Sequence, residues 1–231
     1  MKLKKVSVLM AVLVLSLGLV GCQGATNGDS EKEPNANVSS EKEAESETDS
    51  GKLDNGLSQE RLEWFETEFF NTDENHIVNF FLASEYDKIA DINLRKLFYN
   101  GDDGRGGNGE VPEEEITLVL SRYNLEKLDV SRAMRAEMNE VLETYAGLTL
   151  DTTNKVGLDS LYYIKENDAY YNVAGDSTYM KCDITKGWIN EDGTITLQYR
   201  DGLSSISDTY EVTLKAVGDR YQFVSNKYLG Y

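Results

Sequence analysis

Two tyrosine doublets and one loop crowded with acids and amides hold the residue types in this chain that could do chemistry. The doublets are Tyr162-Tyr163 and Tyr170-Tyr171. On paired strands, one ring of each doublet faces the covering layer and the other faces outward. Outward rings suit stacking on a sugar or docking on a protein, although strands also accept Tyr simply because aromatics favour them. Tyr162, Tyr163, Tyr170 and Tyr171, with Asp176 in the turn that follows, are the candidate ligand-binding residues. In the loop, Asn100, Asp102, Asp103, Asn108 and Glu110 supply hard oxygens. They make a weak case for calcium at Asp102, Asp103 and Glu110, because EF-hand spacing is missing and glycines separate the ligands. The same loop, Gly104-Arg105-Gly106-Gly107-Asn108-Gly109, matches G-x-G-x-x-G letter by letter. That motif binds phosphate only where a strand turns into a helix. Here a helical pattern precedes it and three carboxylates repel phosphate, so an exposed loop is expected.

Catalytic readings find little support. Gly175-Asp176-Ser177 resembles the start of the GDSL esterase signature, but such a serine needs a downstream His as its base. The one His, His76, lies about a hundred residues upstream in a Phe-rich helical stretch. Gly175-Asp176 is therefore read as a turn, with Gly supplying positive φ and Asp bonding nearby amides. Cys182 has no His near it to activate its thiol and is read as a small buried residue on a strand. With 2 Cys and 1 His, one chain offers no multi-His or multi-Cys metal site, and no cofactor is expected. Glycosidase-type chemistry would need two carboxyls about 5–10 Å apart with one pKa raised. Asp and Glu total 41, so some will meet by chance.

Across the whole chain, 23 Lys and Arg against 41 Asp and Glu leave a net charge of −18. That balance excludes nucleic acid as the main partner, since phosphate recognition needs a cationic footprint. Residues 1–21 read as an export leader: Lys2, Lys4 and Lys5, then an apolar stretch from Val6 to Val20. Those 15 residues fall short of the about 20 that a helical membrane span needs. Residues 22–56 follow as an acidic tether. After Cys22 they hold nine acids against three Lys and no aromatic residue, too little apolar surface to offset ordering entropy.

The globular domain is placed at 57–231, where all 14 Tyr, 7 Phe and 2 Trp lie. Residues 57–158 read as mainly helical. Ser58 is the expected N-cap of a first helix, stapled by Leu57 and Leu62, with Phe65 and Phe69 continuing at helical spacing. Ile77, Phe80 and Phe81 mark a second helix, and Asp91 is expected to cap a short turn carrying Ile92, Leu94, Leu97 and Phe98. Pro112 fits the first position of a helix with Glu113, Glu114 and Glu115 in its first turn. A last helix carries Met134, Met138, Val141, Leu142 and Tyr145 and stops before Gly147. From 159 the apolar period changes to two. Ile195, Leu197 and Tyr199, then Tyr210, Val212 and Leu214, alternate with polar residues, and turns fall at Asn167-Asp168, Asp192-Gly193 and Gly218-Asp219. The expected fold class is α+β, an N-terminal helical layer packed on a C-terminal antiparallel β-meander.

Leu19-Val20-Gly21-Cys22 resembles the lipobox of bacterial lipoproteins, in which the Cys thiol carries the lipid. The resemblance implies acylation of Cys22 and a membrane partner reached through that anchor, each buried methylene contributing about 0.8 kcal/mol. Cys182 would then have no disulfide partner within the chain. The stretches Leu94-Arg95-Lys96-Leu97-Phe98-Tyr99-Asn100-Gly101, Thr152-Thr153-Asn154-Lys155-Val156-Gly157-Leu158-Asp159 and Ala169-Tyr170-Tyr171-Asn172, with Gly175-Asp176-Ser177, resemble a family of uncharacterised lipoproteins of gut Firmicutes. Members place a His just before the Gly-Asp pair, where this chain has Ala174. The resemblance implies a Gram-positive surface lipoprotein and brings no activity with it. The expected function is a lipid-anchored binding or accessory module, outside the cell, for an envelope protein, glycan or peptide. The alternative is a carboxylate-dependent hydrolase of envelope glycan or peptide.

Overall fold

Ser58 starts the first helix as its sequence context requires. Its hydroxyl accepts the Arg61 N–H at 3.3 Å ahead of α1 (Gln59–Trp64). The computed structural model describes residues 55–72, 76–104, 111–126, 128–174, 181–203 and 208–230. From Phe65 to Phe70 the first helix widens into a π-helical segment, closed by the Asn71 N–H on the Glu66 carbonyl at 2.9 Å. Helical turns follow at α2 (Ile77–Phe80) and α3 (Leu94–Leu97). The cap of α3 is Asn93, whose side chain accepts the Lys96 N–H at 3.0 Å. Asp91, expected in that role, instead ends a 3-10 turn and accepts from Asn154 at 2.6 Å. Asn93 wins because it directly precedes the helical turn, within reach of the orphan amides.

Pro112 directly precedes α4 (Glu113–Tyr123), and three Glu occupy its first turn, where the helix dipole favours them. The next element departs from expectation. Asp129–Met134 is a strand, β1, and only then does α5 (Arg135–Ala146) begin. Met134, placed on the helix by its spacing to Met138, is instead the extended N-cap residue. The helix ends at Gly147 with φ +65°, where a Cβ would press on the Gln222 side chain at 2.9 Å.

The strands form two antiparallel sheets among the described residues. β1 joins β2 (Tyr162–Ile164) and β3 (Ala169–Ala174) in the order β1-β3-β2. β4 (Cys182–Ile189), β5 (Ile195–Asp201), β6 (Thr209–Val217) and β7 (Arg220–Gly230) make a four-stranded meander in sequence order. The fold is α+β, as the change of period implies.

Each sheet has its own core. Phe65, Phe70, Phe80, Phe81, Leu97, Phe98, Met138 and Leu142 from the helical layer meet Leu197, Tyr199, Val212, Leu214 and Phe223 from the meander, all buried. Phe81 stacks on Phe223 at 4.5 Å between ring centroids. A smaller core joins Ile116 and Val119 of α4 to Val130, Ile164, Ala169 and Tyr171 of the three-stranded sheet.

The outer edge of β4 is closed by side chains of the first helix. Asn71 Nδ2 donates to the Cys182 carbonyl at 2.7 Å, and its Oδ1 accepts the Cys182 N–H at 3.0 Å. Glu66 Oε2 accepts the Ile184 N–H at 2.9 Å, and Leu57 N–H donates to the Gly187 carbonyl at 2.8 Å. Backbone groups that would otherwise template a foreign strand are thereby paired.

Candidate functional site

Helix α5 carries Glu137, Glu140, Val141, Thr144 and Tyr145 along one stripe, at the i, i+3, i+4, i+7, i+8 spacing of a single helix face. That stripe forms one wall of a cleft of about 720 Å³. Asp102 and Asp103, from the loop after α3, extend the acidic side. The other wall is aromatic: Trp64 and Phe69 from the first helix, with Tyr221 and the neighbouring Asp219 and Arg220 at the β6–β7 turn.

Local folding explains both walls. Arg61, one turn before Phe65, lays its guanidinium 4.3 Å above the Trp64 ring and 4.7 Å from Phe65, and bonds the Tyr221 hydroxyl. Such cation–π contacts fix ring orientation as well as contributing energy. Phe65, Phe69 and Tyr221 meet edge to face, at 6.1 Å for Phe65–Phe69 and 5.0 Å for Phe65–Tyr221. Trp64 stays 36% exposed at the opening.

On the acidic wall, Met134 has no side-chain acceptor for the start of α5, so Asp102 reaches across and its Oδ2 accepts the Met134 N–H at 3.0 Å. Glu137, in the first turn, makes carboxyl-to-carboxyl contact with Asp102. That hydrogen bond, then desolvation, then the charge of Asp102 push the Glu137 carboxyl up to about 7, against the pull of Arg132. Two carboxyls in contact hold one proton between them more readily than two charges.

The tyrosines expected to bind ligand do not form one platform. Tyr162 pairs with Tyr171 across β2 and β3, and Tyr163 with Tyr170, so the pairs occupy opposite faces. Tyr171 is fully buried. Its hydroxyl donates to Glu115 Oε2 at 2.6 Å and accepts from Asn167 at 2.8 Å, and burial with Glu115 pushes it up to about 12. A ring so enclosed cannot stack on a ligand, which corrects that assignment. Tyr162 packs on Tyr123 at 4.6 Å and on the smaller core. Tyr163 and Tyr170 lie 4.8 Å apart, with the Tyr163 hydroxyl donating to Asp168 at 2.7 Å.

Asp176, Glu110 and Cys22 lie outside the described residues. Asp102 and Asp103, considered for calcium, line the cleft, and among the described residues no group of three or more His, Cys, Asp or Glu is placed to hold a metal. The Cys182 thiol is free and fully buried, and burial pushes its pKa well up, which makes it a poor nucleophile. His76 sits at the N-cap position of α2.

Sequence reasoning missed Trp64, Glu137, Glu140, Tyr145 and Tyr221. The stripe on α5 was available as a helical period. Its meeting with Tyr221, from a strand some 80 residues later, was not. A second groove of about 540 Å³ runs beside α4 over Val111, Ile116, Leu120, Leu125 and Leu128, with Glu113 at its rim. It lacks the convergence of aromatic and acidic groups that marks the larger cleft.

No protein-family model matches the chain, and no curated protein and no solved structure matches it either.

Proposed function

We propose that the chain is a surface protein held to the outer face of the cell membrane by acyl chains on Cys22. In this reading 57–231 acts as a binding module, without catalysis, for a glycan or peptide of the envelope. The observation that carries the binding half is the cleft: about 720 Å³ of space between the Trp64–Phe69–Tyr221 wall and the Glu137–Glu140–Tyr145 stripe. Exposed aromatic edges beside fixed polar groups are what sugar rings and peptide side chains dock against. The anchor half rests on the short apolar leader and Leu19-Val20-Gly21-Cys22.

A second reading, hydrolysis of the same polymers by carboxylates, is favoured by one observation: Glu137 keeps its proton up to about 7 beside Asp102. Against it, glycosidase pairs stand about 5–10 Å apart around the scissile bond, whereas these two carboxyls touch each other.

Isothermal titration of the full chain with soluble cell-wall glycan and peptide fragments tests the proposal. Saturable heat that Trp64→Ala and Tyr221→Ala both abolish, with the fragments recovered intact, is the expected result. No heat with any fragment refutes the binding reading, and fragment cleavage lost in Glu137→Gln establishes the hydrolase. Mass spectrometry of native membrane material tests the anchor, with diacylglyceryl mass on Cys22 expected and a bare thiol overturning it.

A further inference from the structure

The loop that carries Asp102 lies hard against β1. Gly101 has φ +93°, and a Cβ there would stand 2.6 Å from the Arg132 carbonyl oxygen. Gly101 N–H bonds the Phe98 carbonyl at 3.1 Å and Asn100 Nδ2 bonds the Gly104 carbonyl at 3.1 Å, so the loop is a formed turn. Asp102 ties it to the start of α5 by taking the Met134 N–H. In an ordinary capping box, a Glu at the third helical position reaches back to the N-cap N–H. Here Glu137 holds that position, Asp102 has taken the N–H, and the two carboxyls meet instead.

We propose that the Asp102–Glu137 contact is a proton-operated clasp that pins Asp102 to the start of α5, closing that wall of the cleft, and that loss of the proton releases Asp102 from the helix while Tyr99 stays held by Ser131 and Asn172. As a control on ligand access, the clasp rests on the reading of the cleft as a ligand site. With one proton between them the two carboxyls attract, and with none they repel. The groups facing them add up in favour of this. Arg132 on β1 is the cation that would steady a doubly ionised pair, but it is already engaged by Glu115 of α4 at 3.2 Å. Glu140 on α5 and Asp103 on the loop add negative charge, and Asp219, Arg220, Tyr145 and Tyr221 line the rest of the cleft.

The sign follows from the raised carboxyl. Glu137 moves from its ordinary 4.5 up to about 7 in the folded chain. The clasp is therefore fully present below pH 4.5 and is lost as pH rises through about 7.

Amide hydrogen exchange of the full chain without ligand, at pH 5, 6, 7 and 8 and corrected for intrinsic exchange, reads the clasp at Met134. Its N–H is the one bonded to Asp102. Protection at Met134 is expected to fall by up to about tenfold per pH unit between pH 5 and 7, the limit for one proton, and to level off above that, while Leu142 inside α5 stays constant. Glu137→Gln keeps a donor toward Asp102 but does not titrate, so its Met134 protection stays flat. Constant protection in the parent chain, or an equal fall in Glu137→Gln, overturns the proposal. Should Leu142 show that Glu137→Gln is loosened throughout, Asp102→Asn takes its place with the same flat profile required. Because no ligand is present, failure of the clasp leaves the cleft reading standing, and absence of ligand binding leaves the clasp standing.

Discussion

Replacing Asn226 with Leu is expected to destabilise the folded region by about 4 kcal/mol, far more than the loss of one surface amide would. Asn226 sits on β7 and is 1% exposed. Its Nδ2 donates to the Leu82 carbonyl at 3.2 Å and the Ser84 carbonyl at 2.9 Å, and its Oδ1 accepts the Tyr199 hydroxyl at 2.9 Å. Its backbone meanwhile pairs with Tyr86 in both directions, at 2.9 and 2.8 Å. One side chain thus ties the segment after α2 to β7 and to β5. Leu keeps the branched outline of the side chain and leaves no cavity, so the polar loss dominates. Three bonds at about 1 kcal/mol each set a floor near 3 kcal/mol, and each buried group left without a partner adds to it, to a ceiling near 6. Tyr199→Phe removes one of the three and should cost about 1–2 kcal/mol. The two changes share a bond, so the double variant should be less unstable than the sum by about 1 kcal/mol. Urea unfolding followed by tryptophan fluorescence gives all four values, provided the m-value is constant across the cycle. For a folded region of this size a loss of 4 kcal/mol lowers Tm by about 8–16 °C. A loss below about 1 kcal/mol for Asn226→Leu, or strict additivity with Tyr199→Phe, would refute the account of this side chain as a buried tie.

Other expectations follow from single contacts. Tyr171→Phe leaves Glu115 and Asn167 without their shared hydroxyl and should cost about 1–3 kcal/mol by the same unfolding assay; in the parent chain that hydroxyl should resist ultraviolet titration until about pH 12. Gly101→Ala combines a positive φ with a backbone oxygen 2.6 Å from the new Cβ, whereas Gly193→Ala has φ +80° but nothing within 4 Å. The first should therefore cost about 2–4 kcal/mol in urea and the second about 1 kcal/mol, with equal losses contradicting the packing argument. Cys182 should react with a thiol reagent only as fast as the domain opens, because its sulfur is buried and its pKa pushed up; rapid labelling of folded protein would contradict this.

The parts of the fold legible in the sequence are those whose residues answer to local rules. Ser58 starts α1 by accepting the Arg61 N–H three residues on and the Leu62 N–H four residues on, and Gly147 ends α5 because no other residue sits as easily at φ +65°. The alternation at 195–199 and 210–214 gives strands because one face is buried, with Leu197, Val212 and Leu214 at 0% exposure. β1 was not legible for the opposite reason. Asp129-Val130-Ser131-Arg132-Ala133-Met134 has one β-branched apolar residue, and Met134 falls four places before Met138, mimicking a helical stripe. It is a strand because β3 lies beside it and pairs with all six residues. Tertiary pairing overrode a weak local pattern. The same holds for the division into two sheets, since nothing in the turn at Asn167-Asp168 says that β3 will accept β1 on its other side.

The cleft shows where single-sequence reasoning about sites stops. The Tyr doublets attracted notice because adjacent rings are conspicuous in a sequence, yet strand geometry alone requires such rings to point to opposite faces, and Tyr171 is consumed by the core and Glu115. In the sequence Asp102 reads as one of several loop oxygens suited to calcium. Its carboxylate is instead used by the backbone of Met134, and a loop acid committed to a helix start is poorly placed to join a cage of six to eight oxygens. Glu137 had no distinguishing mark among 41 acids. What singles it out is a partner 35 residues away, brought there because Gly101 lets the chain lie on the carbonyl of Arg132. The chemistry of this site is a property of that approach between backbones. A substitution that alters no acid, such as Gly101→Ala, should therefore lift Asp102 away from Glu137 and return the Glu137 carboxyl toward its ordinary 4.5. Carbon-13 NMR of the Glu137 side chain reads that shift directly. A midpoint still near 7 in a folded Gly101→Ala chain would mean that the loop does not position the pair.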